Sequence, residues 1–403
     1  MHTGPDSKLT ALLWTGTAVV MSLMTWFSAT AVLPELSAHL SLTASQGAWL
    51  TNAVQLGFAV GAIGSSLLAL GDIWPLTRIM AGAAVLAGIV NLMLLVNLGA
   101  AGAIATRFLT GVALAGIYPP AMKFIATWFR TGLGLAMGAM VGALTLGSAM
   151  PHLVRAAGTG VPWEAVVIVC SLGSLIAAFI FAGMLRKGPH EFARTVVDLR
   201  QVGAILHNRP AMLANIGYFG HMWELYAMWG WFLAFAASAE ADGLGPINAS
   251  GFTFAVIAMG ALGCLAGGWL ADRIGRCLTT SMMMMISGGA ALLIGLVYSG
   301  PLWLFVLFAL VWGFAIVGDS AQFSAAVSEL SEPQLVGSSL ALQMGVGFAI
   351  TIVAIWITPL VAEIFGSWRW TFLILVPGPA VGILAMLALR RHPSARLMAG
   401  GNR

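Results

Sequence analysis

"GWLADRIGR", Gly268–Arg276, sets one aspartate and two arginines between two apolar runs at residues 250–271 and 277–298. Each run has the roughly 20 residues that an α-helix needs to cross a bilayer, so the charged stretch reads as a tight turn between two spans. A related string, "GSSLLALGDIWPLTR", ends at Arg78, about 200 residues earlier. "VPWEAVVIV" from Val161 and "GSWRWTFLI" from Gly366 form a second pair at a similar offset. The chain therefore reads as a duplicated unit, and parallel repeats of this kind build secondary transporters.

Working outward, the 403 residues are 60% hydrophobic and only 8% charged, with a mean hydropathy of +0.95. So much apolar surface requires lipid as its solvent. Twelve apolar segments follow one another near residues 10–34, 47–70, 77–97, 101–125, 132–155, 162–185, 211–238, 250–271, 277–298, 302–327, 335–362 and 370–390. The short alternating strands of a membrane barrel are not seen. The start "MHTGPDSK" has no apolar core or cleavage site of a removable signal, so the first run is expected to remain as a helix. The stretch from Arg186 to Pro210 is the longest polar segment and carries both signs of charge. It divides the chain into a six-helix bundle over 1–185, a cytoplasmic linker over 186–210 with room for a short amphipathic helix, and a second bundle with a short tail over 211–403. The fold expected is an all-α integral membrane protein of twelve transmembrane helices in two pseudo-symmetric halves.

Basic residues outside the spans, from Lys8 and Arg78 through Arg209 to Arg403, gather on one side, while only Arg155 and Arg369 fall on the other. The positive-inside rule then puts both termini in the cytoplasm, and the short loops suggest a bacterial inner membrane. On this reading the pI near 9.3 reflects topology, and no nucleic-acid partner is expected. Cys170, Cys264 and Cys277 form neither a disulfide framework nor a metal set, and no cofactor is implied. No nucleophile motif or phosphate-binding loop in the right context points to an enzyme.

"GWLADRIGR" resembles the signature loop of the Major Facilitator Superfamily and falls where that family has it, between the eighth and ninth helices. The resemblance implies a charge latch at Gly268, Asp272, Arg273, Gly275 and Arg276. In the first half it implies a matching latch at Asp72 and Arg78, where Ile73 replaces the usual arginine and the spacing is longer. "RFLTGVALAG" from Arg107 is similar to the fourth-helix motif whose arginine is often linked to proton coupling. "GAMVGALTLGSAMP" from Gly138 matches the fifth-helix antiporter motif in part, with Ala143 in place of proline. Within the family, "AVLPEL" and "DSAQF" look like nitrate, nitrite and cyanate transporters, although the paired arginines of the nitrate branch are missing from the second and eighth helices. The family implies a small-molecule substrate, a lipid setting and a monomer.

Glu224 lies about 20 Å along its helix from Ala211, near mid-membrane, where a charge costs a few kcal/mol or more. His221 is one turn away on the same face. The two read either as a hydrogen-bonded pair that ties helices together or as a proton-carrying or substrate-binding pair, because protonation relieves the cost of a buried carboxylate. Further intramembrane polar residues are Asn52, Gln55, Arg107, Lys123, Asp319, Gln322 and Gln343, with Tyr226 as a cavity wall. The resemblance assigns the pathway to the first, fourth, seventh and tenth helices, and most of these residues fall there. The leading expectation is a proton-coupled carrier of a small polar or anionic solute, held by Arg107 and Lys123 from one half and by His221, Glu224, Asp319 and Gln322 from the other. Sodium stays open as the coupling ion. The alternatives are proton-coupled efflux of drugs or amphiphilic cations, and a non-transporting receptor or scaffold.

Overall fold

The computed structural model describes residues 7–68, 70–129, 132–158, 160–190 and 202–402, the side chains of 71, 72 and 202 excepted. The chain parts into two compact units, Met1–Arg194 and Thr195–Arg403. The first contains α1 (Lys8–Leu23), α2 (Leu33–Leu40), α3 (Ala44–Leu67), α4 (Leu70–Ile73), α5 (Leu76–Leu92), α6 (Gly99–Ala115), α7 (Tyr118–Ala126), α8 (Leu133–Ala156) and α9 (Trp163–Gly183). The second contains α10 (Val202–His207), α11 (Arg209–Ala239), α12 (Ala249–Ile274), α13 (Arg276–Val297), α14 (Leu302–Ala315), α15 (Ser320–Leu330), α16 (Val336–Phe365) and α17 (Pro377–Arg391). No strand occurs among the described residues.

Ten helical stretches among the described residues are long and apolar enough to cross a membrane. The two expected spans outside that set are informative. α1 has only 16 residues. α11 has 31 and the length to cross, but it carries His221, Glu224 and several tryptophans and tyrosines, which lower its hydropathy. Side-chain caps start several helices. Thr43 and Gln46 form a reciprocal capping box on α3, and Asn208 and Asn248 cap α11 and α12. The string "NAS" at Asn248 is thus a helix start.

Three expected spans are interrupted. The first leaves α-helix after Leu23 and resumes as a short 3-10 turn at Thr30–Val32, the fourth breaks between Ala115 and Tyr118, and the tenth between Ala315 and Ser320. In the fourth, Pro119 follows the break and cannot donate a helical hydrogen bond. The fourth- and tenth-span breaks are about 200 residues apart, the offset of the repeated sequence strings. Both halves therefore keep an irregular segment at the same place in their pattern.

Glycine lets the helices meet closely. α3 packs along α6, and a Cβ on Gly57 would lie 2.0 Å from the Phe108 carbonyl oxygen. In the second unit α12 packs along α14, where a Cβ on Gly263 would lie 1.8 Å from the Phe314 oxygen. Backbone atoms cannot withdraw as a side chain can, so these positions exclude even alanine. Gly64, on the same stripe as Gly57, faces open space. The four methionines at 282–285 divide by helix face: Met283 and Met284 are buried in the unit, while Met282 and Met285 point outward. Only the outer two fit lipid-facing packing.

Gly263→Ala is expected to lower stability by about 1–3 kcal/mol through overpacking, whereas Gly64→Ala leaves it unchanged. Thermal unfolding of the purified protein in detergent compares the two, and equal midpoints would refute the backbone-contact argument.

Candidate functional site

In the first unit the polar core is built around Arg107. Its side chain is fully buried on α6, and every guanidinium nitrogen donates to a protein acceptor. Nε donates to the Leu50 carbonyl at 3.3 Å, and Nη1 to the Thr25 carbonyl at 2.9 Å, Asn91 Oδ1 at 3.0 Å and Ser28 Oγ at 3.3 Å. Nη2 donates to the Trp26 carbonyl. Asn91 continues the network to α9 by donating to Ser171 Oγ at 2.9 Å. Two of these carbonyls, on Thr25 and Trp26, belong to the segment where the first span loses its helix. The arginine supplies the donors that the missing helical turn would have provided. No carboxylate pairs with it among the described residues.

Around that segment lie polar side chains with unmet bonds. Thr51 on α3 meets Thr30 at 2.8 Å. One turn along the same helix stripe stands Gln55, whose carboxamide, like that of Asn52, is buried with no hydrogen-bond partner. On α8, Ser148 and His152 are buried, and the serine hydroxyl and both imidazole nitrogens are unpartnered. Lys123 stands half-buried in the last turn of α7.

The buried acids among the described residues, Glu224 and Asp319, lie in the second unit. His221 and Glu224 share a face of α11, yet each turns to a different helix. His221 Nδ1 lies 2.9 Å from Asp319 Oδ1, at the break before α15, and both residues are buried. The approach is electrostatic and lacks hydrogen-bond alignment: Asp319 Oδ1 and His221 Nε2 have no hydrogen-bond partner. Glu224 Oε1 accepts from the Trp312 indole N–H of α14 at 2.7 Å, and Oε2 accepts from the Ser287 hydroxyl of α13 at 2.8 Å. Two neutral donors thus hold an acid that is 1% exposed. Aromatic rings line the imidazole, with Phe323 at 5.6 Å and Tyr218 at 6.1 Å between ring centroids. Tyr226 is buried between Trp229 and Phe348. Trp223 and Trp231 are pinned to neighbouring backbone carbonyls, at Ile374 and Ile355. On α16, Gln343 Oε1 accepts from Ser324 at 2.9 Å and its Nε2 has no partner.

The signature loop is organised by Gly275, which ends α12 at φ +87°, a conformation that L side chains rarely adopt. Arg276 next to it makes a two-pronged bond to Glu329, with Nε and Nη2 each 2.7 Å from a carboxylate oxygen. Its Nη1 donates to Gln322 Oε1 at 2.6 Å. Arg273 lies over the Trp269 ring at 3.6 Å, and Asp272 is exposed. Gly268 is buried against the unit. In the first half Arg78 is exposed, and the Asp72 side chain lies outside the described residues, as does Arg403.

The candidate residues therefore fall into separate groups. Asp319 with His221, and Gln322 with Arg276, come together on α11, α13 and α15; Asn52, Gln55, Arg107 and Lys123 belong to the other unit. Sequence reading did not single out Ser287, Trp312, Asn91, His152 or Glu329. A lone serine after "MMMMI" and a lone tryptophan in an apolar run carry no pattern that marks them as partners of an acid 63 or 88 residues away.

The Major Facilitator Superfamily profile matches residues 15–324 and 244–399. A curated relative, the MFS-type transporter hasB of Aspergillus fumigatus (strain CBS 144.89 / FGSC A1163 / CEA10), is 26% identical over 258 residues, which cover 60% of this chain. The match spans only 56% of that relative's length. Among solved structures, a bacterial homologue of the human lysosomal transporter Spinster, inward-facing and occupied, superposes with a TM-score of 0.71 at 14% identity, covering 96% of this chain and 98% of that one. The unoccupied inward-facing form gives 0.68 at 15% identity, covering 97% and 100%. Similarity at this level concerns the fold.

Arg107→Met is expected to orphan several buried acceptors, at about 1–3 kcal/mol each, and so to lower the thermal midpoint markedly. Arg107→Lys rescues little, because one ammonium cannot reach acceptors spread over three nitrogens. A midpoint equal to that of the unmodified protein in either variant, read by thermal unfolding, would contradict the clamp.

Proposed function

Since the chain belongs to the Major Facilitator Superfamily, we propose that it is a secondary active transporter that moves a small solute by alternating access, coupled to protons through Glu224, Asp319 and His221. The observation that carries this reading is the chemistry of the second unit. Two carboxylates and one imidazole are buried there, beside the interrupted tenth span. Burial among neutral donors makes the charge on Glu224 costly, so gain or loss of a proton changes the relative free energy of conformational states that solvate it differently. The word "transporter" in the names of the fungal relative and of the bacterial structures' human counterpart supports carrying that activity to this chain.

The substrate class follows from which charges are already engaged. Each nitrogen of Arg107 donates to the protein, so the anion reading loses one of the two first-half cations on which it rested and keeps only Lys123, half-buried in the last turn of α7. The acids of the second unit, with Tyr218 and Phe323 beside them, suit a cationic or hydrogen-bonding organic solute. Efflux of an amphiphilic cation is accordingly preferred to anion uptake. A non-transporting scaffold with the same fold would give no flux.

In proteoliposomes with an internal pH indicator, addition of lipophilic cations is expected to move the internal pH, and small anions are not. Glu224→Gln and Asp319→Asn should each reduce that signal to the level of protein-free vesicles. A response to anions alone would reverse the substrate class. An undiminished response in Glu224→Gln would remove Glu224 from the coupling.

A further inference from the structure

The two hydrogen bonds on Glu224 are not equivalent, and the difference constrains where a proton can sit. An indole N–H only donates, so Trp312 keeps Oε1 as an acceptor whether the side chain is a carboxylate or a carboxylic acid. A proton on Oε1 would find no acceptor in the indole, whereas one on Oε2 meets a hydroxyl that can accept it. The partner there is the Ser287 hydroxyl, which can donate or accept. It also lies 3.3 Å from the Met284 carbonyl, a second acceptor one turn back on α13.

We propose that Ser287 is the positioning residue that lets Glu224 gain and lose its proton in place. With Glu224 as carboxylate, Ser287 donates to Oε2. When a proton arrives on Oε2, the acid donates to Ser287 Oγ, and the hydroxyl turns its own proton to the Met284 carbonyl. One proton is added, one rotor turns, and every buried polar atom keeps a partner in both states. Alanine, valine or a backbone N–H at this site would serve at most one of the two states, whereas a hydroxyl serves both.

The surroundings leave this rotor as the adaptable element. Asp319 is the titratable group whose charge acts on Glu224, and its Oδ1 lies 2.9 Å from Nδ1 of His221, which turns from Glu224 to a different helix. The ionisable residues of α12, α13, α16 and α17, such as Asp272, Arg276, Glu363 and Arg390, stand at helix ends. Cys264 within α12 directs its thiol to the Val317 carbonyl at 3.5 Å, and α14 brings no titratable side chain.

The inference rests on the proton-carrying reading of Glu224 and is tested separately from it. An infrared pH titration of the full-length protein in lipid follows the carboxylic-acid C=O band that Glu224→Gln removes. Ser287→Ala is expected to shift that band to higher wavenumber, because the acid has lost its acceptor, while Ser287→Thr, which keeps the hydroxyl, holds it at the position of the unmodified protein. A band that stays in place in Ser287→Ala, or moves equally in Ser287→Thr, overturns the role of Ser287 alone. If no band sensitive to Glu224→Gln develops at any pH, the proton-carrying reading falls and this inference with it.

Discussion

A helix that breaks inside a bilayer frees carbonyls and N–H groups where no water can bond to them, and the interior of this protein is arranged around that constraint. In the first unit the break after α1 is met by one arginine. Arg107 takes the Thr25 and Trp26 carbonyls and, through Asn91, reaches Ser171, so α3, α5, α6 and α9 all converge on the break. Its neighbours Asn52, Gln55 and His152 then keep bonding capacity that the fold itself does not use.

The second unit resolves its break differently. There the segment between Ala315 and Ser320 ends in Asp319, which approaches His221, and the nearby Glu224 is bonded by Trp312 and Ser287. A guanidinium is only a donor, but carboxylates, an imidazole and a hydroxyl can exchange donor and acceptor roles. Two repeats of one architecture thus place a fixed clamp in one half and groups able to carry protons in the other. The division agrees with the proposal that coupling belongs to the second half.

Asp319 is also joined to the signature loop. Gln322 lies one turn along α15, its backbone N–H bonded to the Asp319 carbonyl at 2.9 Å, and its side chain accepts from Arg276. Arg276 is anchored on Glu329, whose Oε2 also receives the Ala399 N–H of the C-terminal tail at 3.3 Å. Of the latch residues expected from the family, Arg276 bridges helices within its own unit, while Arg273 stacks on Trp269 and Asp272 stays in the open.

Composition and repetition were legible without coordinates, because lipid demands long apolar helices and a duplicated gene leaves strings at a constant offset. The twelve spans and the polar residues at mid-helix came from those two facts, and Glu224 stood out because a charge in an apolar run is expensive wherever it points. Partner choice was not legible. The i, i+3 spacing of His221 and Glu224 fits a mutual pair, yet the helices packed beside α11 offer Asp319 to one and Trp312 with Ser287 to the other. Arg107 likewise read as a free cation, since nothing in its motif says that the first helix will unwind opposite it. Spacing along a chain determines which side chains share a face; which atoms answer them depends on residues of other spans, 16 to 88 positions away, and only the packed helices bring those within hydrogen-bonding distance.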